Sequence, residues 1–467
     1  MTSTSTPGHT SRWGIVAGAV GAVLILIALV HWGGTAKPGP EFALGVAIYM
    51  GVMALFAAAI WWFYLSPLPA GQRVRLVRRS AALRQTLAAL VAVGGLLFMI
   101  GAFWDETWHR IYGVATNNED FWWRPHLLIY GSLTIVSFIA LGSMATLVFG
   151  KGSMRQRFRA EPLMGLLALA CGYMVLTTPT DPLWHALYGI DLTAWSLPHL
   201  SLGIALFVLM LAGAAVQLSL APLPGWKSVF RSSGREWLAI LMLGFGLVML
   251  LQFATAEWDG LTSVGIGETS DAFWSRPEWL YPVLIASVTA FLGSLTLHMT
   301  QRIGASTAVA LIALGVRLAL LGTLNGREAG MSASGQIMAI APMLTLDIWY
   351  ALRRAEPTSR RTRVGGGLAV AASVLLIDLP LISVTMVYPR VNGDTLPLMI
   401  GFTVLLGLFC APLGASIGGW LGTIDRPKEA DVVGVRRAVW IGVAALVASL
   451  VFTAWFILTA VPPQRLN

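Results

Sequence analysis

The chain has 467 residues, 56% of them hydrophobic and only 11% charged, with a formal net charge of +9. A water-soluble domain carries about 25% charged residues, so this composition excludes an ordinary soluble fold. The positive charge does not argue for nucleic acid, because the basic residues sit in short loops between apolar runs, where membrane insertion places them.

Runs of roughly 20 apolar residues cross a bilayer core as helices, since a lipid-embedded backbone must satisfy its own hydrogen bonds. A transmembrane barrel needs alternating ten-residue segments, which are absent from the sequence. The expected fold is all-α, a polytopic membrane bundle of about thirteen helices with repeated helical hairpins. In chain order they fall near 13–34, 41–65, 85–104, 126–149, 162–179, 199–222, 237–256, 278–299, 304–324, 334–352, 364–389, 397–422 and 437–461. Residues 1–12 read as a disordered cytoplasmic tail and 13–84 as an N-terminal hairpin. Residues 85–225 form the hairpins that carry the polar motifs, 226–303 a degenerate third hairpin, and 304–467 a set of C-terminal membrane helices. The first helix is long enough to stay in the membrane, so no cleaved leader is expected. Cys171 and Cys410 both lie in apolar runs, which excludes a thiolate metal cluster.

Alternate loops hold most of the 31 Lys and Arg residues. Arg73 to Arg84, Lys151 to Arg159, Lys227 to Arg235, Arg353 to Arg363 and Arg426 to Arg437 mark the cytoplasmic side by this rule. The N-terminus is then inside, and the C-terminus and the acidic, histidine-bearing loops are outside.

Those outer loops repeat a pattern. Trp104-Asp105-Glu106-Thr107-Trp108-His109 closes the third helix and Pro125-His126 opens the fourth. Asp181-Pro182-Leu183-Trp184-His185 closes the fifth and Pro198-His199 opens the sixth. Trp258-Asp259 closes the seventh and Pro277-Glu278 opens the eighth. A spacing of four puts Asp105 and His109, and likewise Asp181 and His185, on one face of a helix one turn apart. His126 and His199 arrive from the following helices. Each of the first two hairpins thus offers one carboxylate and two imidazoles, a mononuclear metal site in outline. In the third hairpin Ser263 and Glu278 replace the imidazoles, leaving Asp259 and Glu278 as a degenerate site. This ligand set suits iron, zinc and copper alike. Trp104, Trp108, Trp122, Trp123, Trp184, Trp195, Trp258, Trp274 and Trp279 fit an interfacial aromatic belt.

The stretch Asp105 to His109, followed by Glu119-Asp120-Phe121 and Pro125-His126, resembles the C subunit of the copper membrane monooxygenases, the particulate methane and ammonia monooxygenases. That subunit carries Asp-x-x-Trp-His and then Pro-Ser-His. Downstream it carries Asn-x-x-x-His-Ala-Phe-Trp and then Pro-Leu-His, to which Asp181 to Tyr188 and Pro198-His199 are similar. The resemblance covers roughly residues 85–225. It implies copper at Asp105, His109 and His126, which would be the catalytic set, and at Asp181, His185 and His199. It also implies dioxygen, a small-molecule substrate, and partner subunits in the membrane or outside it. This sequence departs from the family in having Asp181 for the asparagine, a longer loop between His109 and His126, and about twice the helices. The ligand-entry sites of a metal or proton-coupled transporter, or a non-catalytic metal-binding assembly protein, are the other readings of the same motifs.

In the second half, Arg317, Asp347 and Asp378 fall inside spans, where charges pair or face the bundle interior. A structural ion pair between Arg317 and one of the aspartates is the expectation, and a proton path or transport route is the other reading. Gly414 and Gly418, four apart, read as a small-residue face for close helix packing. The topology makes a direct prediction: Asn117→Cys reacts with a membrane-impermeant thiol reagent added outside intact cells. Reaction only after lysis would invert the assignment.

Overall fold

The structure, a computed structural model, describes residues 40–66, 74, 76–77, 79–113, 122–188, 195–221, 225–255, 277–385, 393–425 and 435–463. It is a helical bundle. The helices are α1 (Pro40–Ile60, running on into a π-turn Trp61–Leu65), α2 (Ala81–Tyr112), α3 (Arg124–Val148), a short α4 (Met154–Ala160), α5 (Pro162–Thr177) and α6 (Thr180–Tyr188). They continue as α7 (Leu197–Leu218), α8 (Gly234–Thr255), α9 (Leu280–Thr300), α10 (Ala305–Thr323), α11 (Ser334–Met338) and α12 (Ile340–Leu352). Last come α13 (Arg360–Ser373, running through a π-turn Val374–Asp378 into α14, Leu379–Thr385), α15 (Leu396–Thr423) and α16 (Val435–Leu458). Two residues of β1 (Lys227–Ser228) pair in parallel with β2 (Arg302–Ile303).

Among the described residues eleven helical segments are long and apolar enough to span a membrane, and α16 adds a shorter apolar stretch, Val443–Leu458. The expected helix at 13–34 and the tail before it lie outside the described residues. The protein is therefore a multi-pass helical bundle suited to a lipid bilayer.

Glycine sets the tightest packing. A Cβ on Gly414 or Gly418 would run into the carbonyl oxygens of Phe291 and Leu295, and Gly422 meets Met299 in the same way. Three glycines at intervals of four thus let α15 lie directly on the backbone of α9, as the Gly414 and Gly418 spacing anticipates. Gly367 and Gly407 make a second such crossing between α13 and α15.

Polar groups inside the bundle are handled one at a time. Arg302 reaches Glu236 with Nε at 3.1 Å and Nη2 at 2.9 Å, a buried two-pronged pair joining β2 to the first turn of α8. Glu236 also accepts from the backbone N–H of Ser233 at 2.7 Å. Arg84 is drawn into α2, which begins four residues earlier than expected. It donates to the Ser219 carbonyl at 3.1 Å and faces Asp425 at 3.6 Å.

The expected pairing of Arg317 with an intramembrane aspartate is not found. Asp347 accepts from the backbone N–H groups of Gly304 and Thr307, each at 2.7 Å, and from the Thr307 hydroxyl at 2.6 Å. It caps the start of α10 across a helix boundary, where the exposed N–H groups favour a carboxylate. Arg317 lies ten residues further along α10, about 15 Å away at 1.5 Å per residue. Its Nε donates to the Ser332 carbonyl at 2.8 Å, and its guanidinium sits 4.7 Å over the Phe103 ring. Asp378 is not its partner either; the Oδ2 of this buried residue makes no hydrogen bond.

The glycine contacts carry a prediction. Gly418→Leu forces α15 off α9 and destabilises the protein by about 1–3 kcal/mol, the usual range for overpacking. Gly419→Leu, where an added Cβ meets nothing within 4 Å, is the matched control. Equal melting temperatures of the two variants in detergent would contradict the packing.

Candidate metal centre

The first site is built at the end of α2. That helix has 32 residues, more than the roughly 20 needed to cross the hydrocarbon, and Asp105 and His109 occupy its last turns. Pro125 starts α3 at a position that needs no N–H, and His126 follows it. What brings His126 to Asp105 is Gly101, one turn earlier. A Cβ there would stand 2.8 Å from Ile129 Cγ1 and 3.0 Å from the Pro125 carbonyl oxygen. The first turn of α3 therefore rests on the α2 backbone. The Ser132 hydroxyl donates to the Gly94 carbonyl at 2.7 Å and fixes the contact two turns below.

The two oxygens of Asp105 each face one imidazole. Oδ1 lies 2.8 Å from His126 Nε2 and Oδ2 lies 3.6 Å from His109 Nδ1. The three side chains are partly buried, between 18% and 24% exposed. Trp123 lies against the His109 ring at 5.4 Å and Tyr130 against the His126 ring at 6.1 Å. Beside the site, Glu106 pairs with Arg110 at 2.7 Å and accepts from Gln252 on α8. Arg124 donates to the Phe456 carbonyl and the Thr459 hydroxyl, both at 2.7 Å, tying the end of α16 to the same end of the bundle.

The second site uses a broken helix. The chain turns at residues 178–179 after α5, and α6 then carries both Asp181 and His185. Ser196 caps α7 by accepting from the backbone N–H of His199, and Pro198 again occupies the first turn. Here both imidazoles converge on one oxygen: Asp181 Oδ1 is 3.5 Å from His199 Nε2 and 3.7 Å from His185 Nε2. This group is more open, with side chains 26% to 34% exposed.

Within each group of three, one donor atom per residue lies within 4.8 Å of the others. Metal–nitrogen bonds of about 2 Å place donors roughly 3–4 Å apart, and the donor spacing in both groups is compatible with one ion in each. Three donors and an open side leave coordination positions for an exogenous ligand. An electrostatic interaction between His199 and Asp105 links the two groups.

Asp259 and Ser263 lie outside the described residues. Glu278 precedes α9, where its carbonyl accepts from the Tyr281 N–H. Among the described residues it joins no group of three metal-ligating side chains. Not all of the tryptophans expected in an interfacial belt face outward. Trp104, Trp108 and Trp184 are buried, with at most 7% exposure, and Trp104 and Trp108 pack edge to face at 5.1 Å inside the core. The rule for belts reads depth in the membrane and not the direction a side chain faces. Trp122, at 73% exposure, does face outward. Trp258 and Trp274 lie outside the described residues. Sequence reasoning also misses Tyr49, which α1 brings to the second site; one tyrosine inside an apolar run gives no spacing signal. Likewise, His298 forms a separate buried cluster, with Nε2 2.9 Å from the Tyr350 hydroxyl.

No protein-family model, no curated protein and no solved structure matches this chain.

The construction of each group predicts site-selective losses. His109→Ala removes metal from the first group and His185→Ala from the second, each halving the bound metal while the melting temperature holds. Gly101→Val pushes α3 off α2 and empties the first group alone. Elemental analysis of the purified variants measures this. Loss from both groups in any single variant would contradict two separate sites.

Proposed function

We propose that this chain is a membrane-bound copper-dependent monooxygenase, or a monooxygenase-like subunit, that oxidises a small apolar or weakly polar substrate on the outer face of the membrane. The observation that carries the proposal is the convergence of Asp105, His109 and His126 from two helices. The order of the two Asp-His and Pro-His motifs, which resembles that of the monooxygenase C subunit, supplies the choice of copper. Bound copper supplies the redox chemistry that activates dioxygen. The chain's own residues hold it: the two imidazoles bind neutral, and the carboxylate adds charge and sets geometry. Trp123 and Tyr130 line the His109 and His126 rings and keep that side apolar. Electrons come from a donor outside this chain, and partner subunits in the membrane or outside it complete the enzyme.

One observation favours a second reading, a metal or proton-coupled transporter. Asp378 is buried at the end of a π-turn, with an oxygen that makes no hydrogen bond. An intramembrane carboxylate of this kind marks a pathway more often than a scaffold. The two readings separate in membranes that carry the chain with its native partners. The oxygenase reading predicts copper-dependent dioxygen uptake coupled to oxidation of a short alkane or ammonia, lost in His109→Ala and kept in Glu278→Ala. Ion flux in proteoliposomes that is lost in the same variant, without dioxygen uptake, would replace it with the transporter.

A further inference from the structure

Tyr49 stands on α1, a helix whose outward face exposes Leu44, Ile48, Val52 and Leu55 and whose inward face is short. Val46, Tyr49, Met50 and Met53 make that inward stripe, packed on Trp184, Tyr188 and Leu197. The docking is close: a Cβ on Gly45 would collide with the Tyr188 ring. The stripe carries the Tyr49 phenol into the bundle at the level of the second site. The residue is only 8% exposed.

Its hydroxyl lies beside the hydroxyls of Ser201 and Thr180 and within electrostatic reach of Asp181. Neither hydroxyl contact has the geometry of a formed hydrogen bond, and the Tyr49 oxygen is buried without one. Both neighbours have already committed their protons. Ser201 donates to the Leu197 carbonyl at 2.7 Å, and Thr180 donates to the Thr177 carbonyl. They remain only as acceptors, so the phenol is the one among these three hydroxyls with a proton to give. The nearby Tyr173 hydroxyl is already directed at the Met53 sulfur, 3.0 Å away. A buried donor left unmade costs free energy, and the carboxylate whose charge acts on this phenol is that of Asp181, the residue after Thr180.

We propose that Tyr49 is a positioning residue of the second site, whose neutral phenol donates a hydrogen bond to the Asp181 carboxylate when that group holds a metal ion. The inference rests on reading Asp181, His185 and His199 as a metal site. A carboxylate ligand that also accepts an outer hydrogen bond is fixed in one orientation, and removing such partners lowers metal affinity by roughly 10–100-fold. Tyr49 therefore sets both the affinity of the second site and the direction from which Asp181 approaches the ion. It also makes α1 part of that site.

The test is titration of the full chain in detergent with Cu2+ alone, the copper spectrum of each group being followed by electron paramagnetic resonance. Tyr49→Phe keeps the ring and removes only the hydroxyl. The expected result is a second-site affinity lowered roughly 10–100-fold, a changed copper spectrum at that site, and an unchanged first site. Tyr173→Phe should leave both sites as they are. Asp181→Asn supplies a readout that a packing role would not move: if Tyr49 acts through Asp181, the loss from Tyr49→Phe largely disappears in the Asp181→Asn background. A wild type that takes up no Cu2+ at the second group defeats the metal reading, and this inference with it. A wild type that loads the group while Tyr49→Phe titrates identically overturns the role of Tyr49 alone. Equal loss at both sites, or the same loss with and without Asp181, marks a packing residue and also overturns it.

Discussion

Lipid offers a peptide group no hydrogen-bond partner, so every backbone N–H and C=O within the hydrocarbon must be satisfied by the chain itself. Here that constraint produces long helices, and the helices in turn decide where polar chemistry can stand. Side chains that need water or an ion collect where helices end. Asp105 and His109 sit in the last turns of α2, Asp181 and His185 on the short helix α6, and His126 and His199 in the first turns of α3 and α7. Two of the carboxylates that remain inside are matched individually. Glu236 holds Arg302 in a buried pair, and Asp347 occupies the open N–H groups that start α10. A buried pair of the first kind adds little net stability but is costly to break from one side, so such contacts fix which helix ends meet.

Glycine then converts helices into a site. Without side chains at Gly101, Gly414 or Gly418, neighbouring backbones touch, and close approach replaces the hydrophobic drive that lipid cannot supply. At Gly101 this has a chemical consequence, since the turn of α3 that rests there is the one bearing His126. The two groups differ in detail. Asp105 divides its oxygens between two imidazoles, whereas Asp181 presents a single oxygen to both.

Much of this was legible in sequence, for identifiable reasons. Apolar runs of membrane length dictate helices whatever else surrounds them. The Asp105–His109 and Asp181–His185 spacings dictate shared faces, and a Pro-His dipeptide after a short loop returns an imidazole to the same end. The Gly414–Gly418 spacing showed a packing face, although its partner α9 was not visible. Facing and long-range partnership stayed hidden. Glu236 and Arg302 are 66 positions apart, and no local pattern joins them. Arg317 and Asp347 look like partners on composition, yet the helical rise separates them. Trp104 and Trp108 obey the depth preference of tryptophan while turning into the core. Tyr49 belongs to a helix with no polar pattern, and only docking reveals what it faces.

We propose that each of the two Asp-His-His groups at one end of the bundle takes up a transition-metal ion. An electrostatic interaction between His199 and Asp105 links the two groups. Pulsed electron paramagnetic resonance on the purified chain loaded with Cu2+ measures this directly. The account predicts two imidazole-ligated Cu2+ ions per chain, coupled by a short dipolar interaction that vanishes when either His109 or His185 is replaced by alanine. A single uncoupled ion, or a chain that takes up none, would contradict it.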